Sequence, residues 1–192
     1  MRKLIILWIL LSSVAAAGVE DESQFECRMF GKEELLDNRS PSFDGFKVPI
    51  ESTLVPAPLN LESNPLARTY RTALRHGMKS GPNFAGHYAL VVWGCGTSCS
   101  GFAVADLKNG NVFSIPGFVS LSGVHVREDA QQFLSEGTQD SWGYRHKLSS
   151  NLLVLVGTIN EDDSKQGAFY YAFSDNKFKL IHQTLFRPKC KR

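Results

Sequence analysis

With 192 residues, of which 43% are apolar, the chain is long enough for one domain with a full core. Once an amino-terminal leader carrying Arg2 and Lys3 is set aside, 19 basic residues stand against 19 acidic ones. That balance argues against nucleic acid as a partner, because such binding rests on many basic contacts to phosphates.

Arg2 and Lys3 precede an apolar run from Leu4 to Val14, and Ala15-Ala16-Ala17 supplies the small residues signal peptidase requires before its cut. This pattern predicts a secretory signal peptide over residues 1–17 and a single mature domain over 18–192. The run is too short to span a bilayer, and no later segment approaches the roughly 20 apolar residues that spanning requires, so no transmembrane segment is expected after cleavage. Periplasmic or secreted placement follows, and with it an oxidising environment for Cys27, Cys95, Cys99 and Cys190. Four cysteines allow three connectivities. Cys95 with Cys99 is favoured because they flank a short loop, and Cys27 with Cys190 because chain ends often lie close together.

Residues 18–63 are mixed, with at most a short helix over Lys32 to Leu36 and a candidate edge strand from Phe46 to Leu54. Val55-Pro56-Ala57-Pro58 then breaks regular structure. Asn64 is a good N-cap, Pro65 suits the first turn, and Leu66, Tyr70, Ala73 and Leu74 recur at helical spacing to about Met78, predicting the principal helix. Its Arg68, Arg71, Arg75 and Lys79 form a basic stripe that reads as a solvated face or as a contact for an acidic partner or lipid headgroup.

Gly81-Pro82-Asn83 reads as a turn into the strand His87 to Trp93. Period two places His87, Ala89, Val91 and Trp93 on one face and Tyr88, Leu90 and Val92 on the other. Both faces are mostly apolar, which predicts a central strand. Cys95 to Cys99 closes a loop of Gly96, Thr97 and Ser98, and a second strand, Phe102 to Leu107, leads back. Asn109-Gly110 signals a two-residue hairpin turn, with Asn111 to Ile115 returning. The span from Phe118 to Tyr144 is less regular, with a helical turn over Glu128 to Leu134. Leu152 to Ile159 is apolar on both faces, hence central. Ala168 to Phe173 and Lys177 to Leu185 form a last hairpin about Ser174-Asp175-Asn176. The expected class is α+β, a largely antiparallel β-meander of about six strands with one principal helix packed on it.

Three chemistries compete at the loop. Cys95, Cys99 and His87 could ligate zinc, but three residues between cysteines is an uncommon ligand spacing, and neither metal nor cofactor is expected. A redox pair would need Cys-x-x-Cys within a thioredoxin-like pattern, which is absent. A hydrolase would draw its nucleophile from Ser98 or Cys95, its base from His87, His125, His146 or His182, and an orienting Asp106 or Asp140, without a Gly-x-Ser-x-Gly elbow.

The segments GPNFAGHYALVVWGCGTSC and LSSNLLVLVG, with the aromatic pair in FYYAF, resemble a family of uncharacterised secreted bacterial proteins over residues 64–185. Strand, Cys, short loop, Cys, strand, preceded by a helix, resembles at the level of topology the periplasmic Ivy-type lysozyme inhibitors over Tyr70 to Phe113. That likeness implies a disulfide-closed loop inserted into a partner's cleft; the loop here has three residues between its cysteines and lacks the histidine of those inhibitors.

The expected function is therefore an exported, inhibitor-like binding protein of the cell envelope. Gly96, Thr97 and Ser98 would meet a protein or glycan, with Asn83, His87 and Trp93 in support. The alternative is an envelope hydrolase using His87 with Ser98 or Cys95.

Overall fold

A computed structural model describes residues 29–51, 53–135 and 143–186. The leader, Cys27, Cys190 and Asp140 lie outside the described residues. Among the described residues four short helices, α1 (Lys32–Leu35), α2 (Pro65–Thr69), α3 (Arg71–Lys79) and α4 (Glu128–Ser135), flank one antiparallel sheet. Its strands are β1 (Tyr88–Gly96), β2 (Cys99–Asp106), β3 (Val112–Phe113), β4 (Leu121–Ser122), β5 (Tyr144–Lys147), β6 (Ser150–Ile159), β7 (Gln166–Ser174) and β8 (Lys177–Leu185). This is an α+β fold with eight strands among the described residues rather than about six, because short segments in the irregular stretches also pair. No helix among the described residues is long and apolar enough to cross a membrane.

The order β1-β2-β4-β6-β7-β8, with β3 on β2 and β5 on β6, makes the sheet two halves joined by β4. Leu121 and Ser122 pair with Ser100 and Cys99 on one side and with Ile159 and Thr158 on the other. Across this narrow joint the sheet curls until its ends meet. Tyr88 of β1 lies 5.0 Å from Phe173 of β7 between ring centroids, and Phe102 of β2 lies 5.9 Å from Phe178 of β8. The apolar cluster enclosed by the curl includes Phe84, Leu90, Phe102, Tyr144, Leu155 and Phe169. On the outer face, α2 and α3 cover β1 and β2 through Ala67, Leu74 and Met78. The segment around α1, with α4, covers β6 and β7 through Phe30, Leu35 and Phe133.

Several expectations are corrected. The strand following His87 lies at a sheet edge, not at the centre. Its two apolar faces arise because the curled core covers Leu90 while α3 covers Ala89 and Val91. The principal helix breaks at Tyr70 (φ −107°, ψ 26°), whose ring stacks on Trp93 at 4.0 Å. Asn64 does cap the first piece, its side chain accepting from the Leu66 N–H at 2.9 Å. No strand forms over Phe46 to Leu54 among the described residues; a 3-10 turn at Phe43–Phe46 and a single bridge from Lys47 to Ser150 take its place. The turn at Asn109-Gly110 has four residues, because the Asp106 carboxylate captures the Lys108 N–H and the Asn109 amide, each at 2.8 Å. Leu152 to Ile159 is central as expected, and the last hairpin turns on Asp175 and Asn176 with φ of 50° and 60°, the left-handed pair of a two-residue turn.

Candidate functional site

The hairpin β1–β2 carries candidate residues at both ends, and its length decides which can act together. At one end β1 reaches Gly96, whose register partner is Cys99. Cys95 is skipped in the pairing by a bulge between Gly94 and Gly96, and its disulfide to Cys99 spans Cα atoms 5.2 Å apart. Thr97 and Ser98 form the turn, and every residue from Gly94 to Ser98 is exposed. Ser98 has φ +55° and Gly96 φ +148°, so the glycine is required by the backbone itself. Among the described residues neither the Thr97 nor the Ser98 hydroxyl has a hydrogen-bond partner.

Behind this tip the backbone is fixed. The Gly123 N–H donates to the Ser98 carbonyl at 2.9 Å, and Cys99 pairs with Ser122. Ser100, fully buried, places its hydroxyl 3.2 Å from that of Tyr144, which also donates to the Ser100 carbonyl at 3.1 Å. Trp93 lies across its register partner Gly101, where a Cβ would come within 2.6 Å of the indole Nε1, and packs against Tyr70 on its other side. Trp93 thus ties the base of the loop to the helical layer.

Asn83 supports the same strand by a different route. Its side chain accepts from the Leu90 N–H at 2.7 Å and donates to the Leu90 carbonyl at 3.0 Å, standing in for a neighbouring strand along the exposed edge of β1. The turn into β1 is made by Ala85 and Gly86, with φ of 44° and 84°, rather than by Gly81-Pro82-Asn83.

His87 sits at the opposite end of the hairpin, roughly 25–30 Å from Ser98 at the rise of an extended strand. Its Nε2 is 3.5 Å from Asp106 Oδ1 and its Nδ1 is 3.9 Å from Glu51 Oε1. Lys108 completes the group with a 2.6 Å bond to Glu51. Burial, then the Lys108 charge, lowers the His87 pKa against the opposing pull of Asp106 and Glu51. The Lys108 bond holds the Glu51 carboxyl below its ordinary value. His87 and Asp106 are brought together, but Asp106 is already engaged by its own turn, and Ser98 and the disulfide-bonded Cys95 stand at the far end. The His87–Ser98 pairing required by the hydrolase reading is not assembled.

The remaining candidate bases are scattered. His125 is exposed. His146 is buried beside Phe84 in an edge-on ring contact at 6.3 Å, and burial pushes its pKa down to about 4. His182 meets Asp37 at 3.2 Å, a pairing across 145 positions that no local signal announces. Its Thr184 neighbour approaches the same Nε2 at 3.5 Å, so the two-nitrogen relay of a catalytic triad is not built there. Among the described residues no group of three His, Cys, Asp or Glu side chains could hold a metal ion. On the helical face, Arg68 pairs with Glu62, while Arg71, Arg75 and Lys79 are exposed. Comparisons of the chain with family models, curated proteins and solved structures return no match, so the site rests on its own geometry.

Proposed function

We propose that the protein is an exported binding module whose disulfide-closed tip, Gly96, Thr97 and Ser98, engages a protein or glycan of the cell envelope. The observation that carries this reading is the contrast at the tip: exposed residues with unpartnered hydroxyls stand on a backbone held from behind by Gly123, Trp93 and the Cys95–Cys99 bridge. A loop ordered before it meets its partner loses little conformational freedom on binding. The tip has no charged side chain, so recognition rests on hydrogen bonds and shape. Its likeness to the inhibitory loop of the Ivy-type proteins belongs to the same proposal.

A photo-crosslinking residue at Thr97 tests the reading in envelope extracts. The expected result is one discrete adduct that competes with unlabelled protein and is absent when the crosslinker sits at exposed Lys79. Adducts of equal yield from both positions would defeat it.

A further inference from the structure

The curl of the sheet leaves a cleft of about 350 Å³ between the segment leading into β4 and the inner face of β7 and β8. Its floor is apolar, made by Ile115, Phe118, Ile159, Phe169 and Leu185. The volume falls within the range of small-molecule sites and admits a ligand of on the order of a dozen non-hydrogen atoms.

A bulge makes this floor possible. Tyr170 pairs with His182 and Tyr171 with Leu180, so Ile181 is inserted into β8 and the alternation of its side chains changes phase. Phe178 and Leu180 before the bulge, and Gln183 and Leu185 after it, therefore face the same inner side. Without the insertion, His182 and Thr184 would occupy the inner positions.

Three polar groups converge on the apolar floor. Tyr171 is 8% exposed and lines the cleft, and among the described residues its hydroxyl has no hydrogen-bond partner. The hydroxyl keeps contact with solvent, so a ligand acceptor in the cleft would take the place of water there. Gln183 brings an amide that no other described side chain engages. Lys165 stands at the rim, bonded to Asp162 at 2.9 Å with further N–H donors available. Asn160 and Ser164 also line the mouth, but their side chains are committed to Gly117, Val119 and Asp162.

We infer that this cleft is a second binding site, independent of the disulfide loop, for a small apolar carboxylate. Its hydrocarbon body would lie on Phe169 and Leu185, and its carboxylate would take hydrogen bonds from Tyr171 and Lys165. Decanoate, with twelve non-hydrogen atoms, is the probe, titrated below its micellar concentration into the full mature chain labelled at Ile and Leu methyl groups.

The expected result is saturable shifts confined to Ile115, Ile159, Leu180 and Leu185. Affinity should weaken at least fivefold in both Tyr171→Phe and Lys165→Met, and at least fivefold for decan-1-ol. Leu180 is 44% exposed at the mouth, so Leu180→Trp should block the cleft without disturbing the core. Absence of saturation, or shifts spread over the surface, would overturn the site. Equal affinity for decanol, or unchanged affinity in Lys165→Met, would overturn the ligand class. A titration unaltered by Leu180→Trp would overturn the location. None of these outcomes depends on the loop, so failure here leaves the proposed function untouched.

Discussion

Phe30 and Phe186 stack with ring centroids 3.8 Å apart, joining the two ends of the described chain. The Phe186 N–H is held by the Gln166 carbonyl at 2.8 Å and the Phe30 N–H by the His125 carbonyl at 2.9 Å, so the contact is anchored on both sides. Cys27 precedes Phe30 by three positions and Cys190 follows Phe186 by four, which is at most roughly 10 and 14 Å of extended chain. A bridge between these cysteines is therefore within reach, and peptide mapping of the purified protein should link Cys27 to Cys190 with no free thiol.

Loss of that bridge should cost more than loss of the loop bridge. In the chain-entropy model, closing the long interval restricts the unfolded chain by about 5 kcal/mol and closing the short one by about 2 kcal/mol. Replacing Cys27 and Cys190 with Ser should lower the melting temperature markedly more than replacing Cys95 and Cys99. Equal losses, measured by calorimetry on the purified protein, would contradict the division.

Acid should destabilise the fold through its histidines. His146 has a native pKa of about 4 because burial disfavours the imidazolium, whereas in the unfolded chain it returns to about 6.5. The unfolded state therefore binds the proton first. The contribution is fully present above pH 6.5 and is lost progressively as pH falls toward 4, by about 2–3 kcal/mol between pH 7 and pH 4.5. His87 shifts in the same direction. Because Nδ1 of His146 is buried without a hydrogen-bond partner among the described residues, His146→Leu should leave stability at pH 7 unchanged or raised and should flatten the pH dependence. Urea unfolding at the two pH values measures both, and an unchanged slope in the variant would contradict the assignment.

Asn83→Ala removes both bonds to the Leu90 backbone on a sheet edge. The expected loss is about 2 kcal/mol in unfolding free energy, with faster amide exchange at Leu90. Wild-type exchange at Leu90 in the variant would show that the side chain does not serve as the strand's partner.

The sequence makes the hairpins legible because their causes are local. Asp175 and Asn176 tolerate left-handed backbone, Asn64 caps its own helix turn, and Cys95 and Cys99 lie four positions apart. The edge position of β1 is not legible, since its apolar faces read alike whether another strand or Asn83 lies beside it. The same holds for the ends of the hairpin: His87 and Ser98 sit eleven positions apart in sequence, and only the extended backbone between them shows that their side chains do not meet. Glu51 and Asp37, the carboxylates that His87 and His182 meet, arrive from distant segments with no periodic signature. The cleft depends on a single inserted residue, Ile181, whose effect on the phase of β8 exists only once β7 is paired beside it.

The central claim, that the tip of the β1–β2 hairpin is the binding face, is tested most directly by affinity for the envelope partner captured through the Thr97 crosslink. Thr97 is the position to enlarge, because a side chain at Gly96 would be strained by its φ of +148° before any partner was met. Thr97→Trp should weaken binding at least tenfold with the melting temperature unchanged, while His87→Gln should lower the melting temperature and leave affinity within about twofold of wild type. Full affinity in Thr97→Trp, or loss of affinity in His87→Gln with the melting temperature held, would contradict the account and move the functional site to the opposite end of the hairpin.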